Sequence, residues 1–399
     1  MWHNLDNVVV LPEQIRNPLP AVADIVIIGG GIMGSSIAFH LAEAGVTNIT
    51  LIERNELGSG SSAKPLGGVR ATFSDPGNII LGQRSLDAYE AFEDKFKTNI
   101  GLEKVGYLFL CRTESEVTAL EQSIEIQNAL GCENQFVSPE RIGELNPFIN
   151  KDSVIAGSFS PRDGFAQPSR VVEAYIKAAE ALGVTVCTDT EVLDIHTSGR
   201  NITAIETNRG TISTSVVICA AGAWSTKLGN MIGESLPITP VRRQIGFTPQ
   251  LDQPHPRIPF TLDLGSTLYF HNHRNGLVLG ISNENQEPGF GREFSHEWLP
   301  AWNEAAEIVA PSLVNPTLSA GWAGLYENTP DHNAMIGKSN DVDGFFYATG
   351  FSGHGFLQGP AVGEFMRDLY LDRETFMDRE LFSAERFATE FERTELHII

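Results

Sequence analysis

The sequence predicts an α/β fold: a parallel sheet flanked by helices and extended by a β-meander, beside a smaller α+β region with an antiparallel sheet. Three segments predict it. Ile25-Val26-Ile27-Ile28 runs into Gly29-Gly30-Gly31-Ile32-Met33-Gly34 and a helix. Val216-Val217-Ile218-Cys219 ends in Ala220-Ala221-Gly222-Ala223-Trp224. Tyr347-Ala348-Thr349 enters a turn, Gly350 to Gly355, before another helix. The first two open with apolar runs too short for a helix, which suits strands buried on both faces. All three end in small residues, needed where a backbone turns tightly or is approached closely.

The remaining elements follow in order. A helix is expected over 35–44, with Ile37 and Leu41 one turn apart and Gly45 at its end. A second strand over 49–52 ends at Glu53, completing a βαβ unit. Residues 82–150 read as charged helical stretches around a strand at 105–110. A helix at 169–182, with Val171, Ile176 and Ala179 apolar, leads to a strand at 184–187. Strand-like segments at 192–195, 202–206 and 216–219, joined by turns such as Asn208-Arg209-Gly210, read as the meander. Prolines then accumulate at 237, 240, 249, 254, 256 and 259. Strands at 267–270 and 276–280 suggest the antiparallel sheet, and a helix at 301–308 precedes Pro311. From 321 to 363 the chain is glycine-rich, and it carries no internal repeat or low-complexity tract.

Composition narrows the partners. A chain of 399 residues suggests two domains or one large composite one. With 42% hydrophobic and 20% charged residues it can bury a core. Lys and Arg number 28 against 50 Asp and Glu, a net charge of −22, which is a poor surface for nucleic acid or anionic lipid. Cys111, Cys132, Cys187 and Cys219 form no CxxC pair and no cluster with the scattered histidines. They read as reduced, buried thiols, with no metal site. The opening MWHNLDNVVVLPEQIRNPLP lacks a cationic stretch followed by a long apolar run, and no segment reaches the roughly 18 apolar residues of a membrane span. A cytoplasmic, soluble protein is expected.

The glycine turns carry the chemistry. Gly29, Gly31 and Gly34 form a GxGxxG in its proper context. Gly29 permits the tight turn, Gly31 lets the backbone approach a pyrophosphate, and Gly34 lets the helix pack closely, with Ile32 and Met33 between them at the helix N-terminus. Glu53, 19 residues beyond Gly34, stands where a carboxylate accepts hydrogen bonds from a ribose diol. An acid there disfavours a 2′-phosphate, so FAD or NAD is expected over NADP. Ala221 and Gly222 suit a second segment closing on a cofactor. The run Gly350-Phe351-Ser352-Gly353-His354-Gly355-Phe356 aims backbone N–H groups at its ligand, and would stabilise negative charge there.

Together with Gly67-Gly68-Val69-Arg70 and Thr329-Pro330-Asp331-His332, these motifs resemble the D-amino-acid oxidase superfamily. The branch they resemble includes sarcosine oxidases and the β subunits of dye-linked proline dehydrogenases. The resemblance runs from about Asp24 to Glu385-Arg386-Phe387. It implies a Rossmann-like FAD-binding domain over 1–93, 152–233 and 320–399, and a substrate domain over 94–151 and 234–319. It implies oxidation of a C–N bond in an amino acid or N-methyl amino acid by hydride transfer to flavin N5. No protein base is needed if the amine binds neutral. Cofactor contacts are implied for Arg54, Ser61, Ser62, Val192, Trp224, Gly353, His354, Gly355, Phe356 and Leu357. Arg70 is implied as the cation that holds a substrate carboxylate. Tyr326 is implied as a substrate-side tyrosine, with Tyr269 and His354 in the pocket, and Arg242 and Arg243 as braces of the domain junction.

Departures from the family pattern sharpen the expectation. Gly324 stands where monomeric sarcosine oxidases carry a flavin-bonding cysteine, and residues 164–170 hold no histidine, so FAD is expected to be noncovalent. Val278 replaces a flavin-side lysine that promotes the oxygen reaction, and Leu357 replaces a substrate-binding lysine. A dehydrogenase is therefore favoured over an oxidase. The partner expected is a small carboxylate-bearing amine. The electron acceptor, and whether the chain acts alone, as a homo-oligomer or as one subunit, stay open. An NAD-linked dehydrogenase and a non-turnover flavin-bearing assembly subunit are the alternatives.

Overall fold

A computed structural model describes residues 17–63, 66–283, 285–388 and 393–396. The reading of residues 1–16 as free of a leader lies outside the described residues. Two sheets organise the chain. The six-stranded sheet runs, in spatial order, Met335–Lys338, Phe345–Thr349, Val217–Cys219, Ile25–Ile28, Ile49–Ile52 and Thr185–Cys187. All its pairings are parallel except that of the edge strand Met335–Lys338. The central strands are buried throughout, as parallel strands covered on both faces must be.

The eight-stranded sheet runs Ala320–Asn328, Thr239–Phe247, Gly276–Gly280, Tyr269–His273, Phe260–Asp263, Tyr107–Cys111, Ala156–Ser160 and Gln135–Val137. One face packs on the Leu299–Val309 helix through Trp298, Trp302, Leu277 and Leu279. The other face carries Tyr107, Ile245, Phe260, Tyr269 and Val278. Pro240 is tolerated because only residues 245–247 of its strand pair with Gly276–Gly280.

Several elements differ from the sequence reading. The first helix spans Ile32–Glu43, starting three residues earlier than expected. Gly34 lies inside it: a Cβ there would stand 1.8 Å from the Gly29 carbonyl oxygen, so only glycine lets the helix begin against the turn. The third meander strand is Gly210–Ser213, pairing with Asn201–Thr207, while Val217–Cys219 pairs in parallel with Ile25–Ile28. The glycine-rich stretch after 320 contains a nine-residue strand, Ala320–Asn328, paired along its length with Thr239–Phe247. Ala156–Ser160 and Ala320–Asn328 both belong by pairing to the eight-stranded sheet.

Helix packing sets the site. The Ile32–Glu43 helix is buried along nearly its whole length. The Gly355–Tyr370 helix lies against it with glycines at the contact. A Cβ on Gly359 would stand 2.5 Å from Ile32 Cγ1, and one on Gly363 would stand 2.2 Å from Ser36 Oγ. The missing side chains bring the two backbones together and their N-termini to one place. Gly363→Val should therefore destabilise the fold by about 1–3 kcal/mol, the usual cost of overpacking, and lower cofactor content. Thermal unfolding with and without added cofactor checks this; an unchanged Tm would show that the helices separate freely.

Candidate active site

One cleft lies between the two sheets, with about 1920 Å³ of atom-free space, part of it open to solvent. It brings together Gly29, Gly31, Ile32, Met33, Glu53, Arg54, Ser61, Ser62, Arg70, Val192, Ala221, Gly222, Trp224, Tyr269, Tyr326, Gly353, His354, Gly355, Phe356 and Leu357. Of the residues expected at the site, Gly34 alone does not line it; it sits beneath the turn.

At one end stands the glycine turn. Gly29 has φ +116°, and a Cβ there would meet the Ala220 carbonyl at 2.3 Å, so the end of the Val217–Cys219 strand closes directly on the turn. Both Glu53 oxygens are held: Oε2 accepts from Gly30 N at 2.9 Å and Oε1 from Asn55 N at 2.9 Å. The carboxylate is thus oriented before any ligand arrives. Ser62 Oγ accepts from Ile32 N at 2.9 Å, tying the 61–62 segment to the helix start. A Cβ on Gly31 would meet only that same Oγ, at 3.0 Å, so its open side faces the cleft. The Arg54 guanidinium lies 3.9 Å over the Trp224 ring, which stacks on Phe290 at 5.6 Å. This shelf joins the nucleotide end to the loop around residue 290.

At the other end the second glycine turn meets the long strand. Gly350, Ser352 and Gly353 all have positive φ. A Cβ on Gly353 would stand 2.3 Å from the Tyr326 ring, so the turn and the tyrosine are in contact. His354 caps the Gly355–Tyr370 helix start and meets Phe73 edge-on at 4.9 Å. Glu327, not anticipated from sequence, is half-buried here. Its Oε2 accepts from Thr349 Oγ1 and Gly350 N, both at 3.2 Å. Burial raises its pKa to about 7. Glu327 thus fastens the substrate-side strand to the glycine turn.

Arg70 is 1% exposed. Nη1 donates to the Thr72 carbonyl, and the guanidinium lies 4.2 Å over the Phe73 ring. Its segment is pinned by two buried carboxylates. Asp163 accepts from Ala71 N and Thr72 Oγ1, and burial raises it to about 6. Glu395 accepts from Ser74 N and Asp75 N. Tyr107 and Phe260 stack at 4.3 Å to form an aromatic wall. Burial also raises Tyr269 and Tyr326, so both stay neutral hydroxyl donors.

The expected bracing pair divides. Arg242 pairs with Glu297 and donates to the Glu293 carbonyl, contacts within residues 234–319 and not across the expected junction. Arg243 instead lines the cleft, 5.4 Å over the Tyr326 ring. Strand alternation sends neighbours to opposite faces, the signal that separates the two. Among the described residues no group of three or more His, Cys, Asp or Glu side chains could hold a metal. No helix there is long and apolar enough to cross a membrane, and all four cysteines are free and buried.

A glycine turn with a paired acid at one end and a second glycine turn at the other bound a cleft of the kind that holds a dinucleotide. The chain belongs to the FAD dependent oxidoreductase (DAO) family, whose model matches residues 24–369. It is 29% identical over 378 residues to rat (Rattus norvegicus) mitochondrial dimethylglycine dehydrogenase, covering 89% of this chain and 44% of the relative. It is 26% identical to 4-methylaminobutanoate oxidase (formaldehyde-forming) of Paenarthrobacter nicotinovorans, covering 94% and 46%. The chain thus spans less than half the length of these curated relatives. Among solved structures, L-proline dehydrogenase from P. horikoshii is 32% identical with a TM-score of 0.86, covering 93% of this chain and 99% of that one. Glycine oxidase from Geobacillus kaustophilus is 25% identical with a TM-score of 0.81, covering 91% and 98%. The cofactor is FAD. The cradle suits it: two helix N-termini and a pre-oriented acid face one cleft.

Two outcomes follow. Glu53→Ala should weaken FAD binding by about 1.5–3 kcal/mol, the loss of a charged hydrogen bond, measured by titrating FAD into FAD-free protein. Glu327 titrates near 4.5 when unfolded and near 7 when folded. Its protonated form therefore adds stability that is full below pH 4.5 and is lost as the pH rises to 7. Glu327→Gln stays neutral, so it should remove up to roughly 3 kcal/mol of that pH dependence. Denaturant melts of the FAD-free pair at pH 5 and 7.5 check this.

Proposed function

We propose that this protein oxidises a C–N bond in a small carboxylate-bearing amine, an N-methyl, cyclic or simple amino acid of the sarcosine, glycine or proline kind. The observation that carries the reading is the single cleft. It runs from Glu53, at the nucleotide end, to a compartment walled by Tyr107, Phe260, Tyr269 and Tyr326, with guanidinium groups on its wall. FAD, bound noncovalently with Gly324 at the wall, supplies the acceptor for a hydride from the carbon next to nitrogen.

The chain's residues orient and shield. The aromatic wall excludes water from the reacting carbon and fits the apolar part of the amine. The Tyr326 ring fixes the Gly353 turn, and the N-terminus of the Gly355–Tyr370 helix, which lines the cleft, would stabilise negative charge on a reduced flavin held there. Arg70 adds a fixed positive charge at the floor. Substrate nitrogen binds neutral, so no side chain must take its proton before oxidation. Water then hydrolyses the product imine unless it is cyclic. The names of the relatives, which act on dimethylglycine, proline and glycine, support this class.

We further propose that it is a dehydrogenase. Val278 is buried, opposite Phe247 in the paired strands, and Lys227, which lines the cleft, lies at the nucleotide end, 3.6 Å from Glu191. Oxygen reduction begins with transfer of one electron to form superoxide, which a nearby cation stabilises.

Anaerobic mixing with a panel of sarcosine, dimethylglycine, glycine and proline should bleach the flavin absorbance with at least one of them. A flavin that none of them reduces would instead support a non-turnover role. The reduced enzyme, mixed with air-saturated buffer in a stopped-flow instrument, should reoxidise more slowly than it turns over with a dye. Reoxidation by oxygen at the turnover rate would make it an oxidase.

A further inference from the structure

We infer that Arg243 is the specificity-determining anchor for the substrate's acid group, with the Tyr269 and Tyr326 hydroxyls as its partners. This rests on the amine-oxidation reading above and adds which side chains select the acid.

Four observations carry it. The first is register. Arg243 lies opposite Gly324 in the paired strands. Glycine offers no side chain to cover the guanidinium, so Arg243 reaches along the sheet to Tyr326, 5.4 Å from its ring. The second is partnership. Nε is buried and has no hydrogen-bond partner. Nη1 reaches only the Arg242 and Asn283 carbonyls, at 3.3 and 3.4 Å, long for such bonds. Among the described residues no carboxylate pairs with it. Arg386 and Arg393 are paired, Arg386 with Asp331 at 2.8 Å and Arg393 with Asp75 at 2.5 Å. A buried donor left without a partner costs free energy, and a ligand carboxylate accepting from Nε would remove that cost.

The third is convergence. The charge of Arg243 acts on both Tyr269 and Tyr326, so all three groups are close together. Neither hydroxyl has a hydrogen-bond partner among the described residues, and both side chains line the cleft. One guanidinium and two phenol donors make a site for one carboxylate. The fourth is contrast with Arg70, which is 1% exposed, donates to Thr72 and lies on Phe73. It is positioned to act as a floor charge while Arg243 faces the ligand. The other titratable group whose field reaches Arg243 is His332.

The test uses the FAD-loaded enzyme and two probes of nearly equal size, propionate and propionamide, titrated while the flavin spectrum is followed. Arg243→Gln should raise the Kd of propionate by roughly 30-fold or more, as expected for truncating one partner of a buried charge pair, and leave propionamide unchanged. FAD content and the unliganded spectrum should match the wild type. Tyr269→Phe and Tyr326→Phe should each weaken propionate by a smaller factor. Unchanged propionate binding in Arg243→Gln, with loss in Arg70→Gln, would move the anchor to Arg70 and overturn the inference. So would a wild-type enzyme that binds neither probe, or equal losses for acid and amide. The two readings can fail separately. Substrate reduction of the flavin that is indifferent to Arg243→Gln sinks the anchor and keeps the reaction. Arg243-dependent propionate binding in a protein that no amino acid reduces keeps the anchor and sinks the reaction.

Discussion

The close approach of two helices is the constraint on which the site depends. Gly359 and Gly363 leave room for Ile32 and Ser36, so the Gly355–Tyr370 and Ile32–Glu43 helices touch backbone to side chain rather than side chain to side chain. The first residues of both helices, Ile32 and Met33 and Gly355 and Phe356, line the same cleft. A helix N-terminus carries about half a positive charge. Two of them opening on a single cleft suit a ligand that carries an anionic group and a redox ring that becomes anionic. The glycines thus serve electrostatics through packing: a methyl group at 363 would move one of these termini away from the cleft.

A second constraint is the seam between the sheets. The nucleotide contacts stand on the six-stranded sheet and the proposed substrate contacts on the eight-stranded one. The Ala320–Asn328 strand closes the seam. The Leu325 carbonyl accepts from Ser61 Oγ at 2.8 Å, and Glu327 accepts from the Gly350 turn. Glu327 is raised to about 7, so near neutrality it exchanges between a neutral and a charged form. In its neutral form it fastens the seam without adding a negative charge to it.

What was legible in the sequence follows from how local each signal is. The βαβ unit could be read because Gly29, Gly31, Gly34 and Glu53 act within one short stretch, and their spacing is fixed by a strand, a turn and a helix. The second glycine turn could be read for the same reason. The Ala320–Asn328 strand was not legible. Its Gly321 and Gly324 weaken a strand signal, and its support comes from a partner strand some eighty residues away. Glu327 and Arg243 depend on that pairing, so they were hidden with it. Arg242 and Arg243 look alike as neighbours in a chain. They separate only once the segment is known to be extended, since alternation then turns one outward to Glu297 and the other inward.

The same division explains how one scaffold accommodates different amines. Gly29, Glu53 and Gly353 are fixed by backbone geometry, and a change at any of them disturbs the turn it makes possible. Arg243, Tyr269 and Tyr326 are side chains on one face of a sheet whose register is held by backbone hydrogen bonds. A substitution there alters the pocket and leaves the ladder intact. Substrate choice can therefore change on the eight-stranded sheet while the cofactor end stays constant. Arg243 marks the limit of that freedom. Arg243 is half-buried, with an unpartnered Nε and no carboxylate pairing with it among the described residues; on the proposed reading the acid group is the part of the substrate that this face holds constant, and the aromatic wall beside it is the part free to vary.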